Sequence, residues 1–547
     1  MAVPLITRSS RRHALTGSFT AALMCACFLA SAVPAFAAGH KARLSADLAD
    51  HLSAGSQTIR VIVHGTRAEV DALAVRYNVT VARYLTSGAV LLVNAGQLAA
   101  IQQDDSQDHL SGDIRIKSSV DAADLESVGA DQVWIGSGEV RARTGLGVGV
   151  AVIDSGIDAR HNALKGRVLV THDFTGGDGQ DHYGHGTHVA AIIAGRPGQT
   201  AETRDYGGIA PGAYLLNLRV LGDDGSGTVS DVIEAIDWTI EHRQEYNVRI
   251  INLSLGAPVL QPYRDDPLCE AVERAVRAGL VVVVSAGNFG KTADGKLVMG
   301  GITTPANSPY AIAVGAIDTH GTAQRSDDTL ASYSSRGPTR YDLILKPDVS
   351  APGSHIKSAE AADSYLSRNY PQRHVSGAGA DGVMQLSGTS MAAGLVSGAA
   401  ALVLDAREEL RPQDAKAALQ LTSTFMPSAG LVGAGAGMIN ALAAVELAAS
   451  NQIPKSTTIA GEQTVTSRIF SVLVSSRRAD AILQRGSSQR VRSLLVSASD
   501  GDSIMWGSSN LDSIVWGIEA NSIVWGVGAN SIVWGVDATS IADGIGE

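Results

Sequence analysis

From Thr58 to Thr66 apolar and polar residues alternate in TIRVIVHGT, as they do along a strand with one buried face. The next stretch, EVDALAVRY, has helical spacing; TVARYLTSGAVLLVNAG reads as two more strands and QLAAIQQ as a second helix. Together these predict a small α+β unit. Between Asp104 and Ser119 the chain turns polar, with Asp, Ser and Gly throughout, which predicts an exposed linker. From Gly147 the rhythm changes to nearly all-apolar segments, VGVAVID, YLLNLRV, RIINLSL, LVVVVSA and AIAVGAI, set apart by helical or loop sequence. Strands apolar on both faces and spaced by helices predict an α/β fold, a doubly wound and mostly parallel sheet with helices on both faces. In SDVIEAIDWTIEH, Val232, Ile236 and Ile240 recur every four residues and supply the stripe that packs on such a sheet. The domain is expected to close near Ser450.

Past Ser450 the sequence becomes rich in Ser and Arg and then repeats: SIMWG at Ser503, SIVWG at Ser513, Ser522 and Ser531, and a decayed SIADG at Ser540. Ser-Ile-Val-Trp followed by Gly fits one short strand and one turn per unit, stacked in β-fashion. At the other end, Arg8, Arg11 and Arg12 precede a mostly apolar run from Ala14 to Val33 and then Ala35-Phe36-Ala37, a small-x-small cleavage pattern. Residues 1–37 therefore read as an export signal and the protein as secreted, with SRRHAL leaving a twin-arginine route open. Cys25 and Cys27 leave with that signal, so Cys269 has no partner for an intrachain disulfide and reads as a packed thiol. With 547 residues, 45% hydrophobic and 18% charged, the chain can bury one large core and smaller units beside it. A net charge of -11, with no basic face outside the N-terminal segment, argues against a nucleic-acid partner.

Three residues at predicted element ends carry candidate chemistry. Asp154 closes VGVAVID, and a buried strand seldom ends in a carboxylate without a partner, although a helix-capping Asp looks the same. His185 stands in DHYGHGTHVAAIIAG at the start of a helix of small residues; His188, one turn on, reads as packed. Ser390, in SGTSMAAGLVSGAAALVLDA, opens a second such helix, where a lone Ser is most simply an N-cap. Together they change meaning. A hydroxyl becomes a nucleophile only when an imidazole takes its proton and a carboxylate orients that imidazole.

VIDSGID, GHGTHVA and SGTSMAA resemble the three signatures of the subtilisin-like (subtilase) serine proteases, and they follow one another in the Asp, His, Ser order of that class. The resemblance implies a serine endopeptidase with Asp154, His185 and Ser390 as its triad, and the N-terminal signal makes it a secreted one. It also implies that Asn288, ending VVVVSAGN, donates a hydrogen bond to the oxyanion. Gly225, Ser226 and Gly227 on one side, and Ser254, Leu255 and Gly256 on the other, fall where the family pairs an extended peptide between two backbone edges. Pro305 falls where the family has a proline beside the primary pocket, which puts Thr303 near its floor and predicts an uncharged pocket. The expected organisation is a signal at 1–37, a propeptide at 38–118 that chaperones and inhibits, the peptidase at 119–450, and an extension at 451–547 for surface attachment or assembly. Self-cleavage is expected between Ser111 and Asp124. The partners implied are protein or peptide substrates and the chain's own propeptide. No cofactor is implied, and calcium is not supported, because Ala163 stands where many relatives have a calcium-binding Asp and RPGQTAETRD does not match their loop. A second departure is Gly394-Leu395 in place of the usual Pro-His, which predicts a less rigid Ser390 helix.

Overall fold

The computed structural model describes residues 41–45, 48–49, 52, 58–113, 115–117, 126–136, 141–196, 207–474, 503–508, 513–517, 522–527 and 530–535. The export signal, residues 118–124 of the stretch expected to be cut between Ser111 and Asp124, and the last repeat, at Ser540, lie outside them.

The N-terminal unit contains β1 (Arg43–Leu44), β2 (Ile59–His64), α1 (Arg67–Tyr77), β3 (Thr80–Leu85), β4 (Gly88–Val93), α2 (Ala95–Ile101) and β5 (His109–Gly112). Its five strands lie in the order β1-β5-β2-β4-β3. Capping boxes start both helices, Thr66 with Glu69 and Asn94 with Gln97, so the first orphan N–H groups of each are satisfied locally. Val61, Val63, Val70, Leu73, Leu91, Leu98 and Leu110 form its core. The strand and helix pattern read from the sequence is present. The linker is not. β5 sits inside the sheet, and β6 (Arg115–Lys117) pairs antiparallel with a strand more than a hundred residues away, Lys117 opposite Ser226 and Arg115 opposite Thr228. Composition hid both strands, because their pairing partners are distant and Leu110 is the one large apolar residue of β5.

The main domain begins with α3 (Ala130–Ile135) and continues with β7 (Gly149–Asp154), β8 (Val168–Asp173), α4 (His185–Ala194), β9 (Tyr214–Arg219), β10 (Ser226–Thr228), α5 (Val229–His242), β11 (Val248–Leu253), α6 (Pro267–Arg277), β12 (Val281–Ser285), β13 (Ile312–Asp318), β14 (Thr329–Leu330) and β15 (Val349–Pro352). Seven strands of its sheet run β14-β13-β12-β11-β7-β9-β8, with β15 also on β13, and every pair except β13–β14 is parallel. The order reverses at β7, whose neighbours β9 and β11 carry the chain to opposite sides, and such a switch opens a crevice at the carboxyl ends of the strands. Alternate residues of β7 serve two cores: Val150 and Val152 face one cluster, Ala151 and Ile153 the other.

Beyond β15 come β16 (Ile356–Ala359), α7 (Tyr365–Asn369), β17 (His374–Ser376), β18 (Val383–Leu386), α8 (Thr389–Ala406), α9 (Pro412–Thr422) and α10 (Ala441–Ser450). α4 and α8 pack against each other on one face of the sheet, while α5 and α6 cover the other. α8 runs unbroken through Gly394. A Cβ there would sit 3.2 Å from Ile192 Cγ2, so the glycine lets the His185 and Ser390 helices approach closely.

The packed body continues past Ser450. β19 (Ser456–Ile459) and β20 (Glu462–Val465) form a hairpin held by Asn440, whose Nδ2 donates to Thr457 Oγ1 (2.7 Å) and Thr464 Oγ1 (3.1 Å). Ile459 is fully buried. The expected boundary at 450 thus falls inside one packed unit. Next, β21 (Ile469–Val474) leads an antiparallel meander through β22 (Ser503–Ser508), β23 (Ser513–Gly517), β24 (Ser522–Val527) and β25 (Asn530–Gly535). Each described repeat is one strand, and the register sets Ile opposite Trp, as in Ile504 with Trp516 and Ile523 with Trp534.

Candidate active site

The switch at β7 gathers the candidate residues. Asp154 ends β7 fully buried, and its Oδ1 accepts from the Ser155 N–H (2.7 Å) and lies 2.7 Å from Nδ1 of His185. His185 is the first residue of α4, behind Gly184 at φ 105°, and is equally buried. Its placement depends on Asp181, a residue that no motif singled out. Asp181 accepts from Ser155 Oγ (2.8 Å) and the Gly184 N–H (2.7 Å) on one oxygen, and from the Thr187 N–H (2.8 Å) and Thr187 Oγ1 (2.6 Å) on the other. Ser155 Oγ in turn accepts from the Gly186 N–H at 2.9 Å. The orphan donors of the first turn of α4 are thereby tied to the turn after Asp154. An Asp shortly before a helix opening on Gly was the signal to find it. Burial raises the Asp181 pKa, against the pull of its four donors.

Ser390 is the second residue of α8, where backbone N–H groups have no partner inside the helix and the dipole favours negative charge. Its hydroxyl donates to the Ser254 carbonyl at the end of β11 (3.0 Å), and Ser254 Oγ donates back to the Ser390 carbonyl (2.8 Å). His185 Nε2 is buried and makes no hydrogen bond within the described protein. Rotation about the Cα–Cβ bond of Ser390 would free its hydroxyl from Ser254.

Asn288 follows β12. Its Oδ1 accepts from both the Thr389 N–H (3.0 Å) and Thr389 Oγ1 (2.9 Å). A backbone N–H can only donate, so the amide is fixed with oxygen toward Thr389 and Nδ2 turned away as a donor. Gly256 and Thr303 also meet: a Cβ on Gly256 would lie 2.6 Å from Thr303 Oγ1, and one on Gly287 2.7 Å from Thr303 Cγ2. Thr303 is buried, and its hydroxyl donates to the Ala286 carbonyl at 3.3 Å. Leu255 points into the core, so only its backbone is available to a ligand. On the facing edge, Ser226, Gly227 and Thr228 pair with residues 115–117, Gly227 also bridges Leu221, and Gly225 lies in the turn before them.

Two other expected residues are structural. His188 is fully buried with Nε2 3.2 Å from the Ile356 carbonyl, and burial beside His185 pushes its pKa down to about 3. Cys269 Sγ lies 3.2 Å from Asn307 Oδ1, and burial holds its pKa well above the usual thiol value. The segment 197–206, which carries most of RPGQTAETRD, lies outside the described residues; the Ala163 carbonyl accepts from the Arg196 N–H at 2.8 Å.

A buried carboxylate–imidazole pair, a serine at a helix start and an oriented amide at the carboxyl ends of parallel strands define the class of serine hydrolases. Residues 145–459 match the subtilase family, and the chain belongs to it: this segment is a subtilase serine endopeptidase domain. The chain is 37% identical to the serine protease AprX of Bacillus subtilis (strain 168) over 305 residues, 54% of this chain and 66% of that protein. It is 33% identical to subtilisin DY of Bacillus licheniformis over 304 residues, 55% of this chain and 92% of that one. In fold it resembles fervidolysin of Fervidobacterium pennivorans, described as a keratinolytic enzyme related to subtilisin, with a TM-score of 0.58 at 22% identity over 80% of this chain and 66% of that one.

Proposed function

We propose that this chain is a secreted serine endopeptidase, made as a zymogen that cuts itself. The observation that carries the reading is the buried hydrogen bond from His185 Nδ1 to Asp154, because it fixes the imidazole tautomer that leaves Nε2 as a base. In the reaction Ser390 Oγ attacks the peptide carbonyl carbon and its proton passes to His185 Nε2. Asp154 holds the resulting imidazolium. The oxyanion accepts from Asn288 Nδ2 and the Ser390 N–H; losing one such donor, as at the matching Asn of subtilisin, costs roughly 10² to 10³ in rate. The C–N bond then breaks, the amine leaving with the proton from His185, and an acyl ester remains on Ser390. Water attacks that ester, gives a proton to His185, and the acid departs as the proton returns to Ser390.

The N-terminal unit as propeptide is supported by what it touches. β6 occupies β10, the expected substrate edge. Asp113 accepts from the Ser230 N–H (2.9 Å) at the start of α5, Arg83 pairs with Asp231 (2.5 Å), and Gln261 Nε2 donates to Ser111 Oγ (2.7 Å). An anion at a helix N-terminus and paired charges are stabilising without a covalent tie. Secretion rests on the arginine-led apolar segment and its small-x-small ending. Protein or peptide substrates would lie between β10 and Ser254–Gly256, with an uncharged side chain toward Thr303. The tail repeats serve attachment or assembly, and a truncation that spares hydrolysis belongs after Val474, beyond the packed β19–β20 hairpin.

A serine-directed phosphonofluoridate should label the matured protein on Ser390, and Ser390→Ala should abolish the label and leave the precursor uncut. Absence of labelling in matured wild type would sink the enzymatic reading.

A further inference from the structure

The β6–β10 ladder fixes the direction in which a bound peptide runs. Antiparallel to Ser226–Thr228, residues 115–117 pass Thr228, Gly227 and Ser226 in turn, so the carboxyl end of a peptide in this register heads for Gly225. Gly225, at φ 73°, lies against Tyr183: a Cβ there would come 2.4, 2.6 and 2.7 Å from ring atoms Cζ, Cε2 and Cε1. Tyr183 stands two residues before His185. The ladder ends at Ser226, so the next residue of a bound peptide passes the turn at Gly225, against which the Tyr183 ring packs.

Tyr183 is part of a built aromatic surface. Tyr365 stacks on it, with centroids 5.7 Å apart and planes at 18°, and Tyr370 meets Tyr365 edge-on at 6.5 Å. Arg373 sits 5.0 Å over the Tyr370 ring. Backbone bonds clip this segment to the histidine loop: the Tyr365 N–H donates to the His182 carbonyl (2.7 Å) and the Leu366 N–H to the Tyr183 carbonyl (3.0 Å). Leu366 anchors it in the core, while Tyr365 remains 39% exposed. The acyl-transfer steps use none of these rings.

We propose that the stacked Tyr183 and Tyr365 rings form an aromatic subsite that selects an apolar or aromatic side chain at the substrate position facing Gly225, shortly before the scissile bond. The inference rests on the serine endopeptidase reading. Ring faces reward apolar and aromatic contact, and their negative quadrupole disfavours a carboxylate.

The test uses the full chain after maturation, as wild type, Tyr183→Ala, Tyr365→Ala and the conservative Tyr183→Phe. Active sites are counted by phosphonofluoridate labelling, and kcat/KM is read across a peptide library. At a single position on the amino side of the cut, the preference for Phe over Ser should fall about fivefold in either Ala variant, about 1 kcal/mol. Tyr183→Phe should keep it. An unchanged preference in labelled Tyr365→Ala, or an equal loss at every position, overturns the subsite. Tyr365→Ala keeps the histidine loop's own residues, so it decides the matter even where Tyr183→Ala fails to fold. Wild type that does not label overturns the peptidase reading itself, a different outcome from labelled enzyme without the preference.

Discussion

Asp181→Asn tests how the site is held together. The carboxylate accepts two backbone N–H groups, Gly184 on one oxygen and Thr187 on the other, and two hydroxyls, Ser155 and Thr187. Asparagine replaces one oxygen by an NH2. The hydroxyls can reverse their roles, but the backbone groups cannot. Whichever way the amide turns, one buried N–H faces another donor, which costs about 1 to 3 kcal/mol. Loss of the charge weakens the bonds that survive, and a total of about 3 kcal/mol follows. The strained end is the first turn of α4, so His185 shifts against Asp154, and an ångström of misplacement is worth about a hundredfold in rate. Steady-state kinetics on a chromogenic peptide should show kcat down about a hundredfold with KM within about twofold. The thermal unfolding midpoint, measured on a Ser390→Ala background to prevent autolysis, should drop by roughly 4 °C. Wild-type kcat with an unchanged midpoint would falsify the positioning role of Asp181.

Two further outcomes follow from buried charge. Asp113 has no exposed side-chain surface and accepts from Arg60 Nε (2.6 Å), Ser230 Oγ (2.9 Å) and the Ser230 N–H (2.9 Å). Asp113→Ala should release the N-terminal unit about thirtyfold faster, about 2 kcal/mol, seen as a shortened lag in the activation time course; an unaltered lag counts against this contact. His188 contributes one part of the pH dependence of stability. Burial lowers its folded pKa to about 3 from an ordinary 6.5, so the unfolded chain takes up the proton first as pH falls. Its contribution to stability is complete above pH 6.5 and is lost as pH falls toward 3, at about 1.4 kcal/mol per pH unit. Urea midpoints of the Ser390→Ala protein between about pH 5.5 and 4 should show close to one more proton bound on unfolding than His188→Gln does. Equal slopes would contradict it.

The sequence by itself determined the domain type and the candidate residues. Strands such as VGVAVID are apolar at nearly every position because both faces of β7 are covered, and that property needs no knowledge of neighbours. Asp154, His185 and Ser390 were legible because each stands at an element end within a distinctive string. Gly394 was legible as a departure but not in its consequence, which is set by Ile192 on another helix. Only the tertiary structure decided the rest. β5 and β6 looked like linker because a strand's partner leaves no trace in its own composition, and Lys117 finds Ser226 more than a hundred residues further along the chain. The orientation of Asn288 comes from Thr389, and the aromatic surface beside His185 from Tyr365, both remote in the chain. Local pattern fixes which faces must be buried; which distant group satisfies a donor or stacks on a ring is settled when the chain closes on itself.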